Sequence, residues 1–272
     1  MLRLKRFQLN SLQLRYTAVN KHHFISRGLL GYWVFDSYAG NFQARDISGN
    51  NNHAISAGGT GGLRWNQDGP KNNHKLSFAT LENVGDYIDM GPMIPLVSAP
   101  RFSSLCLVRR RNLTNVAVLY GKDGELTLNL WNDGQIYFNN NGSLGSITTN
   151  DLNWHHVIYT FDGTNPTSGN RAFAYLDGRQ TNLGGGPTTL TSNTGNMNFG
   201  RRPGTGNAGV IDMALYIFWD RALTQTEASI LYTDPLCMLK PYLPYSYVWD
   251  SITDTPVVTP GTRRIRGHGI NR

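Results

Sequence analysis

The carboxylates of this chain could act as a general acid and a nucleophile only if two of them faced each other across a substrate, as in glycoside hydrolysis. The sequence has three glutamates, Glu82, Glu125 and Glu227, which are far apart along the chain. Asp86 and Asp89 alternate to opposite faces of a strand, and turns are predicted at four Asp-Gly pairs that begin at Asp123, Asp133, Asp162 and Asp177. No nucleophile, zinc or phosphate-loop motif is present. We therefore expect no catalytic residues and no enzymatic activity.

One loop, residues 46–54, concentrates the carboxylate, amide and carbonyl oxygens that calcium prefers as ligands. The same residue types also close tight turns without an ion, because their side chains bond to nearby backbone N–H groups. Both interpretations remain open, and we favour the turn. The two cysteines, Cys106 and Cys237, lie in apolar surroundings at a spacing that predicts buried thiols rather than a metal site. No cofactor is required.

A carbohydrate-binding site needs exposed aromatic rings for stacking and amide or guanidinium groups for the sugar hydroxyls. Predicted loops supply both kinds of group. The candidates are Tyr38, Trp65, Asn66, Arg201 and Arg202. Loops of this composition are also ordinary solvated turns, so the sequence leaves glycan binding as one of two interpretations.

The net charge of +7 comes from the two ends of the chain. Residues 1–27 and 261–272 hold ten of the 25 basic residues and none of the 18 acidic ones, so the middle is mildly acidic. Basic arms of this kind bind acidic protein surfaces or phosphate backbones, whereas a DNA-binding domain carries the charge on its own face. We favour protein partners and expect no nucleic acid. The candidate contacts are Arg3, Lys5, Arg6, Arg15, Arg263, Arg264 and Arg266.

The elements that would position these groups are short strands. Runs of β-branched and aromatic residues alternate with Gly, Asn, Asp and Pro clusters, which predicts an antiparallel sandwich. Candidate strands are 29–35, 75–80, 87–90, 102–109, 116–120, 126–131, 135–138, 155–161, 171–176, 197–200 and 210–219. Asp-Gly pairs within 131–135 and 176–179 predict two tight hairpins.

One helix is predicted near the end of the folded region. Thr224 and Glu227 have the spacing of a capping box, and Asp234-Pro235 ends the helix. These features divide the chain into a basic arm (1–27), a sandwich domain (28–235), and a Pro/aromatic segment with a basic tail (236–272). The sequence has neither a run of 18 apolar residues nor a signal-peptide pattern, so we expect no membrane span and no leader.

Several segments, in order, resemble a laminin-G-like domain of the concanavalin A-like jelly-roll superfamily. They include residues 28–36 (GLLGYWVFD), 46–54 (DISGNNNHA), 153–157 (NWHHV), 175–178 (YLDG) and 221–224 (RALT). The resemblance spans about residues 28–235. It implies an all-β antiparallel jelly-roll sandwich with one short C-terminal helix, flanked by extended arms at both ends.

The resemblance also implies a ligand set for a structural calcium, because relatives of this type often hold one near the second segment. The ligands would be Asp46 and Asn50, with Asp36 or Asp212. Met213 stands where the family often has an acidic residue after Asp212, which weakens the expectation.

Residues 221–241 resemble the end of laminin-G-like proteins encoded by tailed phages. This similarity implies a non-enzymatic virion structural protein, a capsid decoration or cement protein. Its arms would attach it to the major capsid protein and other virion subunits. It would be made in the host cytoplasm and located on the capsid surface. The alternative is a lectin-like module of a phage fibre or adhesion protein that binds surface glycans. A homo-oligomer is left open, and no membrane partner is expected.

Overall fold

The computed structural model describes part of the chain, and all statements below concern that part. The described ranges are 18–35, 44–54, 56–58, 63–66, 78–83, 85–114, 116–122, 126–140, 143–191, 194–202 and 210–240. The chain divides into two compact units, Met1–Leu239 and Lys240–Arg272. The second unit is described only at Lys240.

The described residues are mostly β-strand, with one α-helix and three short 3-10 turns. The strands are β1 (Ala18–Val19), β2 (Leu29–Val34), β3 (Arg45–Asp46), β4 (Ser56–Gly58), β5 (Leu63–Asn66), β6 (Phe78–Leu81), β7 (Tyr87–Asp89), β8 (Arg101–Arg110), β9 (Ala117–Lys122), β10 (Leu126–Leu130), β11 (Gln135–Asn140), β12 (Ser143–Thr148), β13 (His155–Asp162), β14 (Ala172–Leu176), β15 (Arg179–Gly184), β16 (Met197–Phe199), β17 (Ile211–Trp219) and β18 (Leu239–Lys240). The helix is α1 (Gln225–Thr233), and the 3-10 turns are Phe24–Ser26, Ile94–Leu96 and Ser168–Asn170.

Two antiparallel sheets form the sandwich. The front sheet has seven strands in the order β12-β11-β10-β9-β16-β7-β4. The back sheet has nine strands, with the order β15-β14-β13-β8-β17-β2-β3, with β6 paired to β17 and with β5 paired to β6. This architecture confirms the predicted jelly-roll sandwich, and each of the eleven predicted strands overlaps a strand of the described residues. Further strands that were not predicted, such as β12 and β15, are rich in Ser, Thr, Gly and Asn.

The main core lies between the sheets and is rich in aromatic rings. Phe218 of β17 packs edge-to-face with Trp33, Phe102, Tyr120 and Phe199, at centroid distances of 5.1 to 5.8 Å. Such pairs contribute about 0.5–1.5 kcal/mol each beyond the area they bury. These rings come from both sheets, so they hold the two layers together.

A second apolar cluster covers the outer face of the back sheet. Alternation along β2 sends Trp33 to the main core and Tyr32 to this second cluster, as the sequence predicts for a strand that is apolar on both faces. Helix α1 and the segments on either side of the sandwich domain cover this face. The Trp219 indole N–H donates to the Ile25 carbonyl at 2.8 Å, and the Tyr32 hydroxyl donates to the Pro235 carbonyl at 3.0 Å.

The predicted helix is confirmed, together with its cap. The Thr224 side chain accepts from the Glu227 N–H, and the Glu227 carboxylate accepts from the Thr224 N–H, which completes the capping box. The domain limits at 28 and 235 stay a prediction. Val19 and Ile25 before the first limit, and Leu236 and Met238 after the second, are buried in the same outer cluster.

Candidate ligand-binding face

The outer surface of the front sheet carries polar side chains on β7, β16, β10 and β11, whereas the outward positions of β9 hold Val118 and Gly121. Leu126, Leu128 and Leu130 of β10 point into the main core, so Thr127 and Asn129 point outward. The same alternation on the neighbouring strands gives a set that we call the front face. Its members are Tyr87, Asp89, Thr127, Asn129, Gln135, Tyr137, Asn139 and Asn198.

Strand register aligns part of the front face into a row. Asp89 of β7 lies opposite Asn198 of β16, which lies opposite Gly121 of β9. Gly121 in turn lies opposite Thr127, and Thr127 lies opposite Asn139. Because neighbouring strands are about 4.8 Å apart, the four spacings give a row about 19 Å long. A row of this length crosses the strands and is longer than a single sugar ring.

Two carboxamide oxygens on the front face have no hydrogen-bond partner. The Asn129 amide Nδ2 donates to the Thr127 hydroxyl at 2.8 Å, and Asn139 Nδ2 donates to the same hydroxyl at 3.1 Å. These bonds leave Asn129 Oδ1 unpaired, although Asn129 is only 4% exposed. Asn198 is 5% exposed, and its Oδ1 is also unpaired. A buried acceptor without a donor costs about 1–3 kcal/mol, so each oxygen favours an added hydrogen-bond donor.

A carboxylate lies at one end of the row. Asp89 Oδ1 accepts from the Gly91 N–H at 2.8 Å, and Oδ2 accepts from Asn196 Nδ2 at 3.0 Å. These bonds fix the orientation of the carboxylate beside Asn198. Asp89 therefore adds a second type of acceptor to the row, and its charge disfavours an anionic ligand.

An exposed aromatic pair lies where β10 turns into β11. Trp131 is 39% exposed and packs edge-to-face on Tyr137, with 5.7 Å between centroids. The Tyr137 hydroxyl donates to Asp133 Oδ2 at 2.9 Å, and this bond raises the pKa of Tyr137. The turn is the predicted Asp-Gly hairpin, with Gly134 at φ 80°. The Trp131 ring is therefore held at the edge of the front face, where it is available for stacking.

The structure describes four of the five predicted glycan-binding residues and places them on different sheets. Arg201 lies against the front face, with its guanidinium 4.9 Å from the centroid of Tyr87, and Arg202 is half-buried. Trp65 and Asn66 were predicted in a loop, which is wrong, because they belong to β5 on the back sheet. Tyr38 lies outside the described residues.

The sequence interpretation missed Asn129, Asn139 and Asn198. A signal was present, because polar residues alternate with leucine along β10. That alternation predicts a polar outer face. It does not predict that β16, far away in the sequence, lies two strands from β10.

The calcium candidate Asp46 accepts hydrogen bonds from the protein with both carboxylate oxygens. Oδ1 accepts from the N–H groups of Tyr32 and Ser48, and Oδ2 accepts from the Ser48 hydroxyl and the Asn52 N–H, all at 2.8 to 3.0 Å. Asn50 Nδ2 donates to the Leu29 carbonyl at 2.6 Å. These contacts favour the closed turn over an ion site.

The other calcium candidate, Asp212, is buried beneath two arginines. Arg109 binds Asp212 Oδ2 through Nε at 2.7 Å, and Thr80 donates to Oδ1 at 2.7 Å, with Arg111 at 3.4 Å. Strand β2 separates Asp212 on β17 from Asp46 on β3. Asp36 lies outside the described residues. No group of three or more His, Cys, Asp or Glu side chains able to hold a metal occurs in the described part of the chain.

Each glutamate that the structure describes is bound to an arginine. Arg221 contacts both Glu227 oxygens, at 2.7 and 2.9 Å, and Arg64 contacts Glu82 at 2.9 Å. Burial raises the pKa of Glu227, but Arg221 and the Thr224 cap outweigh burial, so its pKa is lowered. Glu125 lies outside the described residues.

The two cysteines are free thiols with different burial. Cys106 is buried in the main core, and burial raises its pKa. Cys237 is only half-buried, which corrects the prediction of two buried thiols. Burial and Asp234 raise the pKa of Cys237 to about 12.

The predicted arm contacts lie outside the described residues. They are Arg3, Lys5, Arg6, Arg15, Arg263, Arg264 and Arg266. Among the described residues, no helix combines the length and the hydrophobicity of a membrane span.

The sequence matches a family model, and this match identifies the family to which the chain belongs. The Laminin_G_3 model, described as the concanavalin A-like lectin/glucanases superfamily, matches residues 82–229, more than half of the chain. The chain belongs to this family. It is a lectin/glucanase-like β-sandwich, and the match covers most of the front sheet. No curated protein matches the sequence closely enough to count as a relative.

Solved structures share the fold of this laminin-G-like chain at low identity. Trypanosoma rangeli sialidase in complex with sialic acid is 14% identical with a TM-score of 0.55, covering 77% of this chain and 33% of that chain. Domain 4 of an extracellular arabinanase from Geobacillus stearothermophilus, in complex with arabinotriose, is 16% identical with a TM-score of 0.54, covering 75% and 98%. Botulinum neurotoxin type C, whose cell entry depends on two ganglioside molecules, is 14% identical with a TM-score of 0.54, covering 76% and 51%. This chain therefore spans a third of the sialidase and about half of the toxin.

Proposed function

We propose that this laminin-G-like protein is a non-catalytic carbohydrate-binding module, with the front face as its binding surface. The observation that carries the proposal is the pair of unpaired carboxamide oxygens of Asn129 and Asn198, which are closed to solvent in the free protein and reach a ligand when the side chains rotate outward. A carbonyl oxygen only accepts hydrogen bonds, so the ligand must present donors. An oligosaccharide presents many hydroxyl groups along its length, and each of them can donate a hydrogen bond without adding charge.

The rest of the front face fits the same kind of ligand. The row from Asp89 to Asn139 supplies polar groups from four strands, and Trp131 supplies an exposed ring for stacking on a sugar face. Because the carboxylates of Asp89 and Asp133 outnumber the Arg201 guanidinium at this surface, a neutral glycan fits better than an acidic one. The length of the row favours an extended oligosaccharide over a single sugar.

The similar structures support the ligand class without carrying the proposal. The arabinanase domain was solved with arabinotriose, and the toxin depends on gangliosides. At 14–16% identity these proteins share the fold with this chain, so their ligands do not transfer residue by residue. The chemistry of the front face is what favours a glycan here.

The absence of catalysis is part of the proposal. Glu227 and Glu82 are each bound to an arginine, which disfavours a proton transfer role for either of them. Asp89 stands alone in the front-face row as an acid. Glycoside hydrolysis by the usual mechanism needs two facing carboxyl groups.

Glycan-array screening of the full chain, followed by calorimetry with the best oligosaccharide, tests the proposal. We expect Asn129→Ala and Asn198→Ala each to weaken binding about tenfold, as the loss of one buried hydrogen bond predicts. The matched control is Gln225→Ala, which removes an exposed carboxamide on α1. Binding of no glycan, or equal affinity for wild type and both variants, would falsify the proposal.

A second function, attachment to a viral capsid as a decoration protein, rests on a different observation. The ends of the chain hold ten basic residues and no acidic one, whereas the middle is mildly acidic. Two arms joined to one folded body bind a surface with increased avidity, because the body keeps each arm at a high local concentration. The resemblance of residues 221–241 to phage-encoded proteins supports a virion location.

Deletion of the arms separates the two functions. We expect removal of residues 1–17 or 251–272 to abolish binding to purified capsid shells and to leave glycan binding unchanged. Equal shell occupancy before and after both deletions would exclude the capsid role. Loss of glycan binding in the deletions, with intact folding by circular dichroism, would place the sugar site on the arms instead of the front face.

A further inference from the structure

A buried histidine lies beneath α1 on the outer face of the back sheet. His156 of β13 is 5% exposed, and neither of its ring nitrogens has a hydrogen-bond partner. Its ring packs edge-to-face against Tyr232 of α1, with 5.7 Å between centroids. Burial favours the neutral imidazole over the cation in this setting, although the Leu231 carbonyl lies near the ring.

The surroundings of His156 come from three elements. Strand β8 places Leu107 opposite it, and α1 contributes Leu231 and Tyr232. The β14–β15 turn contributes Asp177, whose carboxylate accepts from the His156 backbone N–H at 2.9 Å. Among the described residues, the titratable groups that face this position are Asp177 and the phenols of Tyr232 and Tyr175, the latter on the same face of β14.

Helix α1 docks on the same turn through Tyr232. A Cβ atom added to Gly178 would lie 2.7 Å from Tyr232 Cδ1, so the ring rests directly on the glycine. Asp177 and Gly178 have φ values of 49° and 83°, which a tight hairpin turn requires and glycine permits. The helix, the turn and His156 therefore form one contact.

Burial sets the charge state of His156. It lowers the pKa of His156 to about 4, and the opposing effects of Asp177 and the Leu231 carbonyl do not restore it. His155, on the other face of β13, behaves in the opposite way. Burial lowers its pKa, but Asp177 and Asp151, each within 2.9 Å of a ring nitrogen, outweigh burial and raise it.

We propose that His156 makes the attachment of α1 and the following segment, residues 234–239, to the back sheet dependent on pH. In acid, the imidazole takes up a proton more readily when the helix has lifted and water reaches the ring. Protonation therefore favours the lifted state. His155 does not change this balance, because β13 stays in the sheet and His155 keeps both aspartates.

Cys237 reports the lifted state, because it lies in the segment that follows α1 and is half-buried against the outer cluster. The test measures its reaction with 4,4′-dithiodipyridine in the full chain from pH 7 to pH 4. Each rate is divided by the rate of the guanidinium-unfolded protein at the same pH, which cancels thiol ionisation. Cys106, buried between the sheets, is the internal control.

We expect the normalised Cys237 rate to rise about a hundredfold from pH 7 to pH 4. This rise follows from a His156 pKa of about 4 in the closed state and 6.5 in the lifted state, because protonation then favours the lifted state. The Cys106 rate stays nearly constant. His156→Phe keeps a ring against Tyr232 and removes the pH dependence, and His156→Gln does the same if the first variant folds poorly. The control His22→Phe, at an exposed histidine, keeps the wild-type rise.

Three results overturn the proposal. The Cys237 rate is flat with pH, or the rise survives in both His156 variants, or Cys237 and Cys106 become reactive together. The last result means that the whole domain unfolds, with no separate movement of α1.

Discussion

The two outer faces of this sandwich follow the same alternation of side chains and have opposite chemistry. On the back sheet, Leu105, Ile158 and Ile217 point outward into an apolar cluster that α1 covers. On the front sheet, the corresponding outward positions hold Asn, Asp, Thr, Gln and Tyr. Alternation alone therefore does not determine what a sheet face does. The residue types at the outward positions decide whether the face is apolar and covered by α1 or polar.

The comparison separates stability from binding. Each apolar side chain covered on the back face contributes about 1.5–3 kcal/mol relative to an exposed one. On the front face, the unpaired oxygens of Asn129 and Asn198 reduce stability until a donor reaches them. Substitutions on the back face should therefore lower stability, and substitutions on the front face should lower affinity.

The largest effect is expected from Trp219→Ala on the back face. The indole is 0% exposed, and its N–H is bonded to the Ile25 carbonyl, so the change leaves a large cavity and an unpaired carbonyl. We expect the free energy of unfolding to fall by about 3–5 kcal/mol in urea titrations. The matched control Trp131→Ala, at the exposed front-face tryptophan, should cost about 1 kcal/mol or less. Equal losses for the two tryptophans would remove the distinction between the faces.

The next effect is the pH dependence of stability that His156 causes. Its pKa in the folded protein, about 4, lies below the unfolded value of 6.5, so the stabilisation is lost as the pH falls from 6.5 toward 4. The full loss of unfolding free energy is about 3 kcal/mol, and His156→Phe should remove this pH dependence. His155 has a raised pKa, so its stabilisation is complete below pH 6.5 and is lost as the pH rises above the folded pKa. Urea titrations between pH 4 and 8 measure both, and a wild-type curve that is flat below pH 6.5 would contradict the assignment to His156.

A substitution at Asp212 tests whether the polar groups on the back face need their hydrogen-bonding partners for the stability of the fold. Asp212→Ala removes the partner of Arg109 and the acceptor of Thr80, and we expect a loss of about 2–4 kcal/mol in thermal or urea unfolding. Asp162→Ala, which breaks a partly exposed pair with Arg101, is the control and should cost about 1 kcal/mol. A calcium-dependent rise in the wild-type Tm that Asp212→Ala abolishes would restore the ion site.

How far the sequence predicts this molecule depends on whether the information is local. The capping box of Thr224 and Glu227 and the turn at Asp177 depend on neighbouring residues, and both were predicted correctly. The strands β12 and β15 were missed because their polar side chains lack an apolar alternation. The front-face row depends on register between β16 and β9, which is set by packing across the whole sandwich and not by either strand alone.

The smallest effect on stability is expected at the centre of the front face. Asn129→Ala removes a hydrogen bond to Thr127 but also removes an unpaired buried oxygen, so the two terms offset each other. We expect the free energy of unfolding to change by less than about 0.5 kcal/mol. In the loop after β3, Asn52→Ala removes an amide that donates to the Leu30 carbonyl of the back sheet at 2.7 Å, and should cost about 1–2 kcal/mol. The proposal fails at this position if Asn129→Ala lowers the free energy of unfolding more than Asn52→Ala does in urea titrations without ligand. That result would mean that the Asn129 oxygen already has a donor in the free protein and cannot accept a hydrogen bond from a sugar.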